Sequence, residues 1–352
     1  MSNDLSILIV RLSAIGDVVM TTAAVRALRR RMPGARITWV VEPKSAGILD
    51  GNPDIDEKIA FDRSGPASFL KLAQVLRKSK FDVALDFQGL ARSALVTAAS
   101  GAKRRIGYAD SREFSGVAYN ETVACAKTTS KRRCRHGMAC YMKLLEPLGI
   151  VPDDRDGDMR IAISDEERES AAEIAFEAGL GVGEHAVALC PATTRANKHW
   201  SEEGWSKLAD SLWKEMGLRG VFLGVKKDRE LIDRILAKTE APAINLAGCT
   251  TLKQAVAVQD RCSLIVAVDT GLLHTSVAIG KPSVGIFGPT TAWQNHIHRY
   301  NFAVVRKDMD CVPCYKKPKC ERFECITDVT PEDVLSAAQS VLYSHSLEGA
   351  ES

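Results

Sequence analysis

The chain has 352 residues, 45% hydrophobic and 26% charged, and a formal net charge of +3. That length predicts two domains with separate cores, and the balanced composition excludes a disordered or fibrous chain. No apolar run approaches the ~20 residues that span a bilayer. The start, Met1-Ser2-Asn3-Asp4-Leu5, lacks a basic leader and a cleavage pattern, so a cytoplasmic protein is expected. The charge is unevenly placed: residues 1–150 hold 24 Lys+Arg against 14 Asp+Glu, a balance of +10, and the remainder is −7. Either the first half meets an anionic partner or its cations are solvated surface.

In chain order, Ile7-Leu8-Ile9-Val10 is a buried strand leading into Arg11-Leu12-Ser13-Ala14-Ile15-Gly16-Asp17. Val18, Thr22, Val25 and Leu28 mark one face of a helix ending in Arg29-Arg30-Arg31, where cations complement the helix dipole. Pro33-Gly34 breaks it before the strand Ile37–Val41. A strand, a turn and a helix without G-x-G-x-x-G disfavour a nicotinamide site, and with it an oxidoreductase. Asp17 either complements the dipole at the helix start or projects into a ligand cleft at the carboxyl end of a sheet. Phe69 to Leu76 reads as a helix, Asp82 to Asp86 as a strand, Phe87-Gln88-Gly89 as a turn and Leu90 to Ala99 as a helix. The basic run Lys131 to His136 is either solvated or turned to anionic head groups. Gly149 to Asp158 is turn-rich and acidic, and reads as the link between domains 1–155 and 156–330. Its likeness to a calcium loop fails on the misplaced glycine and glutamate.

In the second half, Ser164 and Thr251 open helices with capping boxes, and Ser201 caps a third. The strand Val187–Cys190 leads into Thr193, Thr194 and Lys198, and Leu264–Val266 leads into Asp269-Thr270-Gly271 with His274 one turn on. Thr270 is either a simple N-cap or part of a phosphate-binding turn, where unpaired amides and the helix dipole favour an anion. A final helix with a tail, 331–352, starts at Thr330-Pro331. Two βα arrays in one chain predict an α/β protein of twin doubly wound domains. Hydroxyls, a lysine and a helix N-terminus suit a diphosphate, and Asp17 suits a general base acting on an acceptor hydroxyl. A nucleotide-binding module without transfer activity would keep the phosphate turn but would not need Asp17.

These residues carry a resemblance. Ile9-Val10-Arg11-Leu12-Ser13-Ala14-Ile15-Gly16-Asp17, Asp86-Phe87-Gln88-Gly89-Leu90, Ala192-Thr193-Thr194 with Lys198-His199-Trp200, and Val268-Asp269-Thr270-Gly271-Leu272 with His274 resemble the family 9 glycosyltransferases. These are the bacterial lipopolysaccharide heptosyltransferases, and the resemblance covers nearly the whole chain. It implies a GT-B fold, two Rossmann-like domains facing a central cleft, and an inverting transfer of heptose from ADP-heptose to a hydroxyl of Kdo on lipid A. Asp17 would be the base. Thr193, Thr194, Lys198, Asp269, Thr270, Gly271 and His274 would hold the donor. Ser13, Gly16, Arg63, Gln88, Arg92 and Arg112 would meet the acceptor. The resemblance further implies a place on the cytoplasmic face of the inner membrane, with no nucleic-acid partner and no cofactor. Lysine and the helix dipole can stabilise the leaving diphosphate, so a divalent metal need not be invoked.

Ser111-Arg112-Glu113 and Tyr119-Asn120 look most like the member that adds the first heptose. Cys311-x2-Cys314-x5-Cys320-x4-Cys325 resembles instead the tail of the second transferase and other members. Those four thiols could hold zinc or an iron–sulfur centre, pair as a labile disulfide, or stay unbound, the last being expected. Cys125, Cys134, Cys140, Cys190, Cys249 and Cys262 are scattered and read as free thiols.

Overall fold

A computed structural model of the protein describes residues 4–110, 112–125, 137–153, 156–290, 301–312, 314, 320 and 322–351. The basic run 131–136 and Ser111 lie outside them. The chain divides into two units, one ending at Ala162 and the other beginning at Ile163.

The first unit runs β1 (Ser6–Val10), α1 (Ile15–Arg31), β2 (Arg36–Val41), α2 (Pro43–Ala46), β3 (Glu57–Ala60), α3 (Pro66–Ser79), β4 (Val83–Asp86), α4 (Ala91–Ala99), β5 (Arg104–Tyr108), β6 (Glu121–Val123) and α5 (Met138–Lys143). The six strands are parallel in the order β3-β2-β1-β4-β5-β6. A sheet covered on both faces needs near-continuous apolar strands, and Ile7, Leu8, Ile9 and Val10 are all fully buried. The face bearing Leu8, Val10 and Val40 packs on Leu72, Leu76 and Val96 of α3 and α4. Helix α1 is buried well beyond the single stripe its sequence predicts, with Val18 to Val25 all sequestered.

The acidic stretch expected to link the domains is fastened to α1. Asp156 pairs with Arg30 and Arg31, and Asp153 pairs with Arg31. The Arg160 amide then donates to Thr22 Oγ1 at 2.9 Å, so the chain stays with the first unit past Asp158. Part of the cation excess at 1–150 is thereby met by the protein's own carboxylates.

The second unit runs α6 (Asp165–Glu177), β7 (Ala186–Cys190), α7 (Glu202–Met216), β8 (Arg219–Phe222), α8 (Arg229–Leu236), β9 (Ala243–Asn245), α9 (Leu252–Arg261), β10 (Leu264–Val268), α10 (Gly271–Ala278), β11 (Ser283–Ile286), β12 (Phe302–Val305), α11 (Glu324–Thr327) and α12 (Pro331–Glu351). Its strands are parallel in the order β12-β11-β10-β7-β8-β9. Alternate residues serve opposite faces. Val187, Leu189, Val266 and Val268 meet Trp205 and Leu208 of α7 and Val334 and Ala338 of α12. Ala186, Ala188, Ile265 and Ala267 meet Ala171 of α6, Val258 of α9 and Leu273 of α10. Each large side chain so buried contributes about 1.5–3 kcal/mol. The expected caps are present: Ser164 accepts from the Glu167 amide, Thr251 from Gln254 and Ser201 from Gly204.

Candidate active site

Each sheet reverses its winding once. In the first unit the chain leaves β1 for β2 on one side, and later returns to lay β4 on the other. The carboxyl ends of β1 and β4 therefore sit side by side, with Val10 opposite Asp86, and their turns splay apart to leave a binding crevice. Ser13, Gly16 and Asp17 follow β1, Gln88 follows β4, and the turns are tied by Leu12 N–H donating to Gln88 Oε1 at 2.9 Å.

Asp17 stands in the first turn of α1, where an anion is favoured. Its Oδ2 lies 2.6 Å from the Arg11 guanidinium and accepts from the Ala14 amide at 3.3 Å. Its Oδ1 accepts from the Tyr141 hydroxyl at 2.9 Å. Arg11 is sealed at 1% exposure, whereas the Asp17 side chain remains 27% exposed, so only the carboxylate can meet a ligand. Burial works to lower the Arg11 pKa, but Asp17 and the neighbouring phenols more than offset it, and the guanidinium stays charged. Gln88 Nε2 is buried with no hydrogen-bond partner among the described residues. That is a vacant donor in the turn after β4, which costs free energy unless a ligand or water meets it.

Behind this turn, Asp86 is fully buried and accepts from the amides of Gln88 and Gly89 and from the Tyr119 hydroxyl. The three arginines expected at the acceptor are dispersed over separate strand ends. Arg63 pairs with the buried Glu42 at 3.1 Å, and Glu42 is joined by its amide to Leu12 O. Arg92 is half-buried at the start of α4, and Arg112 is exposed after β5.

In the second unit β7 and β10 are the neighbours at the reversal, with Cys190 opposite Ala267. Their turns bring Lys198 Nζ to 2.5 Å from Asp269 Oδ2. His274 Nε2 lies 3.9 Å from the other carboxylate oxygen, and Thr193 O meets His199 Nε2 at 3.1 Å. Thr194 is exposed. The Thr270 hydroxyl makes no capping bond, so the side-chain cap weighed for it is absent; the Leu273 amide is taken by Thr270 O, and the helix start still favours an anion through its dipole. Burial works to raise the Asp269 pKa, but Lys198, His274 and Thr290 together hold it below the usual carboxylate range.

Sequence reasoning missed four of these residues. Thr290, which donates to Asp269 Oδ2 at 2.6 Å, follows β11 and could have been found as the next strand end along the sheet. Arg11 stood in a quoted motif but was given no role. Tyr119 stood in a piece quoted only for its likeness to the first transferase, and Tyr141 comes from a segment with no pattern pointing at the site. Among the described residues no group of three or more His, Cys, Asp or Glu could hold a metal ion. Burial, followed by the nearby Cys314, Cys320 and Cys311, pushes the Cys325 thiol up to about 11. No described helix is long and apolar enough to cross a membrane.

A pair of doubly wound units, each with polar groups gathered at its winding reversal, is the architecture of the GT-B glycosyltransferases. Residues 69–323 match the model of glycosyltransferase family 9 (heptosyltransferase), and the chain belongs to that family. It is 29% identical over 303 residues to lipopolysaccharide heptosyltransferase 1 of Escherichia coli, covering 81% of this chain and 88% of that one. Among solved structures it resembles a family 9 glycosyl transferase of Veillonella parvula, with a TM-score of 0.82, 24% identity and coverage of 97% and 99% of the two chains. The E. coli ADP-heptose lipopolysaccharide heptosyltransferase II follows, with a TM-score of 0.75, 24% identity and coverage of 97% and 100%.

Proposed function

We propose that this glycosyltransferase moves heptose from ADP-heptose to a Kdo hydroxyl of the lipopolysaccharide inner core, with inversion at the sugar. The observation that carries the reading is the Asp17 carboxylate, bonded on both oxygens yet partly open at the reversal of the first sheet. Family membership and the relatives' heptose transfer support the substrate class.

In the reaction, an acceptor hydroxyl attacks the anomeric carbon from the face opposite the diphosphate. Its proton passes to Asp17, the bond from carbon to phosphate oxygen breaks, and ADP leaves with the electron pair. Lys198 and the amides at the start of α10 take up the charge that grows on the diphosphate. Thr193, Thr194, Thr270, Gly271 and His274 bind the rest of the donor, with Asp269 anchoring Lys198. Gln88, with Ser13 and Gly16, orients the acceptor sugar, and Arg63, Arg92 and Arg112 meet its carboxylates and lipid A phosphates. Such an acceptor would place the protein on the cytoplasmic face of the inner membrane.

A second reading, transfer onto an existing heptose, is favoured by the four C-terminal cysteines, which resemble the second transferase. Mass spectrometry of products from ADP-heptose offered with Kdo-ended and heptose-ended acceptors separates the two. Product on the Kdo-ended acceptor alone supports the first reading. In the same assay Asp17→Asn should lower turnover at least ~100-fold with ADP binding intact; retained turnover would exclude the base assignment, whereas ADP binding with no transfer by the unmutated protein to either acceptor would leave a nucleotide-binding module in play.

A further inference from the structure

We infer that Tyr141, oriented by Arg11, is the positioning residue that aims the Asp17 carboxylate at the acceptor hydroxyl and selects Oδ1 as the atom that takes its proton. This rests on the reading of Asp17 as the base and goes beyond it, since neither Arg11 nor Tyr141 had a role there.

The argument follows the directions of the hydrogen bonds. Arg11 Nη1 donates to Phe87 O at 2.6 Å, which fixes the guanidinium to the turn after β4. Arg11 Nη2 lies 2.6 Å from Asp17 Oδ2 and also donates to the Tyr141 oxygen at 3.2 Å. With its oxygen engaged by Arg11, the phenol points its own hydrogen to Asp17 Oδ1, at 2.9 Å. Burial, the largest influence on Tyr141, keeps the phenol protonated and able to donate. Tyr141 is itself immobilised. It is fully buried on α5, its ring stands edge-on to Phe87 with centroids 6.1 Å apart, and the Arg11 guanidinium lies 5.3 Å from its centroid. The Ala14 amide adds a contact from the start of α1, while Arg11 and Tyr141 take hold of the two oxygens from outside that helix; a side chain in a first turn would otherwise rotate among its rotamers.

The two oxygens thus carry unequal loads. Oδ2 bears a full positive charge and the Ala14 amide. Protonation there would set a hydrogen against the guanidinium, so the acceptor proton goes to Oδ1 and the phenol contact gives way as it arrives. Both contacts favour the ionised carboxylate over the protonated one, which keeps the base ready. The same guanidinium explains why a lysine would not suffice, because only a fork can reach Phe87 O, the phenol and the carboxylate together.

The test is kinetic, with purified full-length Tyr141→Phe, Arg11→Lys and Asp17→Asn, ADP-heptose and a Kdo-ended acceptor. Tyr141→Phe keeps the ring packing and should lower kcat roughly tenfold and shift the acid limb of kcat upward by about half to one pH unit, with KM for ADP-heptose unchanged. Arg11→Lys keeps a charge but loses the fork, and should lower kcat further with the limb moved less. Melting temperatures of each variant report folding, so an Arg11 variant that fails to fold leaves Tyr141→Phe to decide. An acid limb and kcat unmoved in Tyr141→Phe, with Asp17→Asn inactive, overturns the positioning role alone. An active Asp17→Asn overturns the base reading beneath it.

Discussion

Lys198 and Asp269 form a close ion pair, 2.5 Å between Nζ and Oδ2, with side-chain exposures of only 14% and 9%. A nearly buried pair of this kind is costly to break from one side, because the partner left behind is an uncompensated charge. Lys198→Met should therefore destabilise the protein by about 3 kcal/mol and weaken ADP binding at least ~10-fold, by loss of the cation proposed to meet the diphosphate. Lys198→Met with Asp269→Asn should recover much of the stability but none of the ADP affinity. Thermal melting and calorimetric titration with ADP check both halves. The pH sign follows from the lowered Asp269 pKa. The pair's contribution is present above the ordinary aspartate range and is lost as pH falls through the folded-state value, so the deficit of Lys198→Met should shrink in acid.

Asp86 should show the opposite sign. Burial, its largest influence, raises its pKa despite the bonds it accepts from Gly89, Tyr119 and Gln88. The folded protein then holds this proton more tightly than the unfolded chain, and stability falls as pH rises from the ordinary aspartate value through the raised one. Asp86→Asn lacks that loss. Its melting temperature relative to wild type should climb by about 3 °C across that window and level off above it. A difference that stays flat with pH would mean Asp86 is ionised throughout.

Gly107 protects the same network from the side. A Cβ there would collide with the ring of Tyr119, the residue whose hydroxyl meets Asp86 at 2.7 Å. Overpacking of this kind costs about 1–3 kcal/mol, and the displaced phenol leaves a buried oxygen of Asp86 without its donor. Gly107→Ala should thus cost about 3 kcal/mol in denaturant melts and lower turnover, while Gly107→Ala with Tyr119→Ala should be less destabilised than the sum of the two.

Much of this was legible in the chain itself, and the exceptions share a cause. Strands such as Leu264–Val268 and caps such as Ser164 and Thr251 depend on neighbours within a few residues, and local pattern finds them. The turns after β1, β7 and β10 were legible as turns because polar residues crowd a strand end. Tyr141 and Tyr119 were not: each reaches its aspartate across a long stretch of chain, from an element chosen for apolar packing. The ion pairs of Asp153 and Asp156, in the stretch read as the link between domains, were hidden for the same reason. An acidic turn looks solvated until the folded chain sets Arg30 and Arg31 beside it.

Both units wind in one pattern, a central pair with two strands outward on one side and two on the other. On the proposed reading each half serves one reaction partner: the groups proposed for the nucleotide all fall between Thr193 and His274, and those proposed for the receiving sugar all fall before Ala118. A lineage of such enzymes can then change the glycan it extends by rewriting its amino-terminal half while inheriting the sugar-nucleotide grip untouched, and a hybrid gene joined near Ala162 would be the laboratory version of that history.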